Sequence, residues 1–352
     1  MPESAPAGTP SERTIGIDVG DTWSQICVVD ANGTVIEEAR VRTTTRAMQR
    51  RFAAPPARRV VLEVGTHSPW LSRLLVALGH EVIVANPGRV RLIAASMTKH
   101  DRGDAEHLAR LGRIDPALLA PVRHRGAPAQ RDLAVIRARD SLVRARTGLI
   151  NHARQAVKSQ GGRLPPCAAT AFARKALPAI PDALVPVLTP HLTVIADLTA
   201  QIAQADRDIV RLGRKSYPET QLLQQVAGVG PLIALTFILT IDDPDRFPTS
   251  RAVGAYLGLV PRQRASGQRQ PQLRITKAGD HLLRRLLIGA AHYVLGPFGP
   301  DTDLRRWGLR YAPPGSRNAK KRAITAVARR LAVLLHRLWV TGEVYEPLRQ
   351  AA

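Results

Sequence analysis

Five short runs rich in β-branched residues, all before residue 86, set the strongest limit on how this chain can fold. They are Thr14–Val19, Ser24–Asp30, Thr34–Val41, Arg59–Glu63 and Glu81–Ala85. Ala31-Asn32-Gly33 is a turn signal between the second and third runs, so the first three read as a hairpin or meander. Ser68–Gly79 has a helical pattern and a glycine stop, and Asn86-Pro87 closes the fifth run. Two more helical stretches follow, Gly88–Ala95 and Arg102–Arg113.

Three meandering strands followed by strand, helix, strand and helix is the element order of an RNase H-like α/β domain. In that architecture side chains from the first strand, the fourth strand and a later helix converge. Acids occupy all three places: Asp18, Glu63 and the pair Asp101/Asp104. Asp18 and Glu63 sit on apolar runs, where a charge is costly without a partner. The i, i+3 spacing puts Asp101 and Asp104 on one helical face. Clustered carboxylates suit a hard divalent cation, and Mg²⁺ is the expected cofactor.

These acids lie in a chain of formal charge +23, with 51 Lys and Arg against 28 Asp and Glu. Such an excess favours nucleic acid as partner, because neutralised phosphates supply most sequence-independent affinity. Aromatic residues are only 4% of the chain, so stacking is not expected to dominate binding. The two cysteines, Cys27 and Cys167, make neither a metal motif nor a disulfide framework, which suits a cytoplasmic protein. No run of about 18 apolar residues is evident, so no membrane span is expected. Residues 1–12, rich in Pro, Ala and Ser, read as a disordered tail rather than a signal peptide.

The expected class is therefore α/β followed by all-α. The boundaries place an RNase H-like (RuvC-like) domain at 13–127, a helical arm at 128–215 and a mainly helical domain at 216–345. In the arm, Leu133, Ile136, Val143, Ile150 and Val157 recur at helical spacing. After a Pro-rich stretch, Ile195, Leu198, Ile202, Ala205, Ile209 and Leu212 form a heptad seam. Two long helices of a coiled-coil arm result, used either to dimerise or as a hairpin within one chain. In the last domain Gly228-Val229-Gly230 precedes an apolar helix, a pattern like a helix-hairpin-helix turn that can hold a phosphate on its backbone N–H groups.

Ser266-Gly267 lies among Arg264, Arg269, Arg274 and Lys277. A small serine beside cations suits a hydroxyl attacking a phosphate, although a serine in a basic loop also serves as a plain phosphate hydrogen-bond donor.

The Ile17-Asp18-Val19 start, the Lys99-His100-Asp101-Arg102-Gly103-Asp104-Ala105 box, Gly228-Val229-Gly230-Pro231 and the string from Leu257-Gly258-Leu259-Val260-Pro261 through Ile275-Thr276-Lys277-Ala278-Gly279-Asp280 resemble one family. It is the insertion-sequence transposases with an N-terminal RuvC-like DEDD domain and a C-terminal serine domain, the bridge-RNA-guided recombinases. The resemblance runs from about Thr14 to His336. It implies that Asp18, Glu63, Asp101 and Asp104 bind metal and that Ser266 is the nucleophile, forming a transient phosphoserine link to DNA. It implies a composite of the two sites, and a structured non-coding guide RNA that pairs with target and donor DNA. It also implies homodimers that pair into a synaptic tetramer. The chain differs from the usual motifs at Gly20-Asp21, where Lys is common, at Val64-Gly65-Thr66-His67, and at His100, where Thr is common. Asp21 reads as a turn residue or an extra ligand.

Two other functions fit parts of the chain. A metal-dependent, structure-selective RuvC-like nuclease would use water and leave Ser266 idle. A non-catalytic nucleic-acid-binding protein would hold the acids in salt bridges to Arg.

Overall fold

The computed structural model describes residues 13–93, 101–264, 271, 273–312 and 316–349. The chain divides into two compact units, 1–124 and 125–352. The expected arm and last domain thus belong to one unit.

The first unit holds a five-stranded sheet in the order β3-β2-β1-β4-β5. Its strands are β1 (Thr14–Asp18), β2 (Trp23–Val29), β3 (Val35–Arg42), β4 (Arg59–Glu63) and β5 (Glu81–Ala85). β1, β2 and β3 pair antiparallel, whereas β1, β4 and β5 pair parallel. The mixed α/β sheet and its element order are consistent with an RNase H-like domain. The β2–β3 turn forms because Asp30 accepts hydrogen bonds from the N–H groups of Asn32 and Thr34, and Gly33 takes φ +87°.

Both faces of the sheet are covered. On one, Ile15, Ile17, Ile26 and Val28 pack with Met48, Phe52, Leu71 and Leu75 of helices α1 (Thr45–Phe52) and α2 (Ser68–Ala77). On the other, Cys27, Val29 and Val61 meet Ala105, Leu108 and Ala109 of α4 (Asp101–Ile114). Helix α3 (Pro87–Ile93) follows β5. Helix α1 was not expected from the sequence. Met48 and Phe52 are its only buried residues, too thin a stripe to signal a helix, and its start depends on Thr44 accepting from the Ala47 N–H.

In the second unit, α5 (Ala127–Ser159) and α7 (Val185–Ser216) pack antiparallel. Ile150 and Val157 meet Leu188, Leu192 and Ile195, with Phe172 of α6 (Phe172–Ala176) filling the tip. At the other end Leu133 and Ile136 meet Ile209. Between them Arg139 donates to Asp206 at 2.8 Å and Arg146 to Thr199 at 3.1 Å. The heptad seam is therefore filled within the chain: Ile195, Ile202 and Ile209 are at most 4% exposed. Of the two uses the sequence left open, this is the hairpin within one chain: α5 fills the seam. The helical segment Asp182–Ser216 is long and apolar enough, by length and composition alone, to cross a membrane. Its apolar stripe is the one that packs on α5.

The base of this hairpin shares a core with α9 (Pro231–Ile241), through Leu235 and Leu239. Every residue of α9 from Ala234 to Ile241 is buried, as expected for a helix that is apolar all round. Around it lie α8 (Glu219–Leu223), α10 (Ser250–Tyr256), α11 (His281–Leu295), α12 (Asp303–Arg310) and α13 (Arg317–Thr341).

Candidate active site

Sheet register and one close helix contact carry Asp18, Glu63 and Asp104 to the same edge of the sheet. Gly16 and Val61 are neighbours on the parallel strands β1 and β4. Both face α4: a Cβ on Gly16 would collide with the Ala105 carbonyl, and one on Gly112 with the Val61 side chain. Side chains two residues on share a face, so Asp18 and Glu63 also lie on the α4 side, next to each other at the strand ends. The other end of α4 is tied to the opposite edge, where Arg113 donates to the Ala31 carbonyl at 3.0 Å and Arg59 to that of Gly112 at 3.1 Å. The N-terminal turn of α4 therefore comes to the edge that carries Asp18 and Glu63. Asp104 sits in that turn, one residue before the Ala105 contact. Asp101 opens α4, but its side chain lies outside the described residues.

Among the described residues no group of three or more His, Cys, Asp and Glu side chains is gathered tightly enough to hold a metal ion. The donor set at the edge is all oxygen, which fits a hard cation rather than zinc. Asp21, considered as an extra ligand, is almost fully exposed and pairs with His67 at 3.2 Å.

The second site is a loop with a rigid base. Arg262 N–H donates to Arg274 O at 2.9 Å, Thr276 N–H to Val260 O at 2.9 Å and Lys277 N–H to Gly258 O at 3.1 Å. These bonds clamp the ends of the segment that carries Ser266. Ser266 and Arg269 themselves lie outside the described residues, whereas Arg264, Arg274 and Lys277 are exposed. Gly258 and Gly279 make the clamp possible. Both have positive φ, and a Cβ on either would strike the opposing backbone at Ala278 or Tyr256. The same crossing holds Lys277 at φ +59°, unusual for a residue with a side chain.

Arg284 was missed by the sequence reading. It is buried on α11 and donates to the Leu257 carbonyl at 3.0 Å and the Ala278 carbonyl at 2.6 Å, bolting together both sides of the clamp. Burial pulls its guanidinium below the ordinary arginine value, and the nearby Asp280 opposes that shift. Asp280 caps α11 through the Leu283 N–H and pairs with Arg137. An Arg in Leu-Arg-Arg-Leu reads as one of many surface cations, so only the fold could reveal this role.

Gly228 and Gly230 line a shallow cleft of about 640 Å³ with Arg285, whose guanidinium is bonded to Asp140. Gly228 has φ +84° and packs its bare Cα against Tyr293 and the Ala290 carbonyl, so its first duty is to let the turn approach α11. Gly230 caps α9 and is exposed.

Residues 15–160 match a transposase family profile, the DEDD domain of the IS110 elements, and residues 220–303 match the profile of the transposase IS116/IS110/IS902 family. Similar proteins include a probable family 20 transposase of Pseudomonas aeruginosa, 31% identical over 83% of this chain and 87% of its own length. The transposase for insertion sequence element IS1111A of Coxiella burnetii is 29% identical over 95% of this chain and 91% of its own. The transposase for insertion sequence element IS1328 of Yersinia enterocolitica is 29% identical over 81% and 85%. Acid edge and serine loop thus lie in a DNA-recombining enzyme. The chain belongs to the IS110/IS116 family of insertion-sequence transposases. A DEDD transposase domain points to use of a divalent metal.

Proposed function

We propose that the chain excises and inserts its element under the guidance of a structured RNA, through a transient phosphoserine–DNA link at Ser266. The observation that carries this reading is the pairing of two fixed features in one basic chain: an edge of carboxylates, and a loop clamped at its base by Gly258, Gly279 and Arg284. Asp18, Glu63, Asp101 and Asp104 would hold the Mg²⁺, which when bound would neutralise charge on the phosphoryl oxygens. Ser266 Oγ attacks the scissile phosphorus, the P–O3′ bond breaks, and the serine proton ends on the leaving 3′ oxygen. The ester keeps the bond energy, so another strand's 3′-hydroxyl can attack it later and release the serine without a further cofactor. Arg264, Arg269 and Lys277 stabilise charge developing on the phosphate. Guide RNA, target and donor DNA are the partners. The active assembly is a homodimer that pairs into a synaptic tetramer, with contacts that leave the filled α5–α7 seam intact.

Incubation with DNA and Mg²⁺, followed by a denaturing gel, tests the chemistry. Wild type should yield a covalent adduct mapped by mass spectrometry to Ser266, and Ser266→Ala should yield none. An adduct on another residue, or cleavage without an adduct, would replace this mechanism with a water-using nuclease. Exchanging the guide-loop nucleotides should redirect insertion. Insertion at an unchanged site would remove RNA guidance.

A further inference from the structure

The second unit contains a groove of about 1490 Å³ between the loop clamp and helices α12 and α13. It exceeds the roughly 300–1,000 Å³ of pockets that enclose a small molecule, so it suits an extended ligand. Among the described residues, eight of the eighteen that line it are Lys or Arg, including Arg251, Arg274, Lys321 and Arg329, and none is a carboxylate. The cations of α13 recur along one face, at 321/322, 329/330 and 337, so they form a track rather than a point. A polyanion with regularly spaced charges matches such a track.

The groove also carries two aromatic rings in a chain that has few. Trp307 and Tyr311 lie one turn apart on and just past α12, with centroids 4.9 Å apart and planes tilted by 55°. The Arg330 guanidinium covers Trp307 at 3.9 Å from its centroid. Tyr311 is thus held by a supported neighbour while remaining 56% exposed. An exposed, pre-oriented ring beside a row of cations is the chemistry that receives unstacked bases on a phosphate backbone. Duplex nucleic acid offers phosphates but no free base face.

The geometry points to a binding site for single-stranded nucleic acid in this groove, with an unpaired base stacked on Tyr311 and the backbone held by the α13 cations. The inference rests on the nucleic-acid processing proposed above. It adds that strands next to the serine loop are held unpaired, since Pro261, Arg274, Ile275 and Lys277 of the clamp form one wall.

Fluorescence anisotropy with the full chain and chelated metal tests it, using labelled oligothymidylate, oligouridylate and a hairpin duplex, each of about 12 nucleotides per strand. Tyr311→Ala should weaken single-strand binding by about tenfold and leave duplex binding unchanged. Tyr311→Phe should restore it, because stacking needs the ring and not the hydroxyl. Arg329→Gln with Lys321→Gln should flatten the salt dependence of single-strand binding. The tighter of the two single strands identifies whether DNA or RNA is seated. Tyr311→Ala binding both forms like wild type, or losing both in proportion, would overturn the groove assignment. The Ser266 adduct is scored separately, so that failure would leave the recombinase reading standing.

Discussion

Ser316 and Ser250 are the serines that serve as controls for Ser266, and the structure gives each a structural duty. Ser316 caps α13, accepting from the Ala319 N–H at 3.2 Å. Ser316→Ala should cost about 1 kcal/mol, read as a lower melting temperature, with adduct formation intact. Ser250 Oγ sits 3.0 Å from Nδ1 of the buried His336, whose Nε2 is 3.0 Å from the Pro244 carbonyl. A carbonyl only accepts, so Nε2 donates, and in the neutral ring Nδ1 accepts from Ser250. Ser250→Ala strands that acceptor and should cost about 1–3 kcal/mol. Cys27 gives a pH test. Burial first, then Glu106 and Glu38, push its thiol from 9.0 up to about 11. Its folded pKa lies above its unfolded one, so the stability from keeping the thiol neutral is complete below pH 9 and lost as pH rises towards 11. In the native protein a maleimide should label the half-buried Cys167 well before the buried Cys27 at pH 8 to 9. Faster labelling of Cys27 would contradict this.

At the scale of elements, the arm makes the sharpest prediction. Ile202→Asp puts a charge into the interior of the α5–α7 hairpin and should cost several kcal/mol, on the order of a buried unpaired polar group. The expected result is lower helicity and a lower melting temperature, at protein concentrations where assembly does not change. A folded variant that merely loses dimer would restore the free-seam reading. All five strands were legible because β-branched runs and turn residues are local signals. The spatial order of the strands, β3-β2-β1-β4-β5, was not legible from those local signals, because pairing between distant runs is set by the tertiary fold. Helix α1 was not legible, since two buried residues make no periodicity. The use of the heptad seam was not legible either, because a stripe shows that a face is buried and not by whom. Nor was Arg284, whose burial arises only when Leu257 and Ala278 meet.

On the scale of the whole molecule, the excess positive charge and the candidate acids divide between the units. The first has 16 Lys and Arg against 13 Asp and Glu, a net +3, while the second has 35 against 15, a net +20. If the chain binds nucleic acid as proposed, most of the sequence-independent affinity should come from the second unit. The acids belong to the first, where they repel phosphate unless a cation intervenes. Binding and processing should separate cleanly in Asp104→Asn. Removing one negative charge should leave nucleic-acid affinity in chelator the same or slightly tighter, and leave the salt dependence unchanged. Strand processing in Mg²⁺ should fall by at least two orders of magnitude, roughly the loss expected when a positioned charge that organises the transition state is removed. Anisotropy titrations over a salt series and adduct yield on the same preparation read the two quantities. If affinity and processing fell together, Asp104 would be holding the fold of α4 on the sheet rather than serving the reaction. If processing persisted, the acid edge would have no part in it.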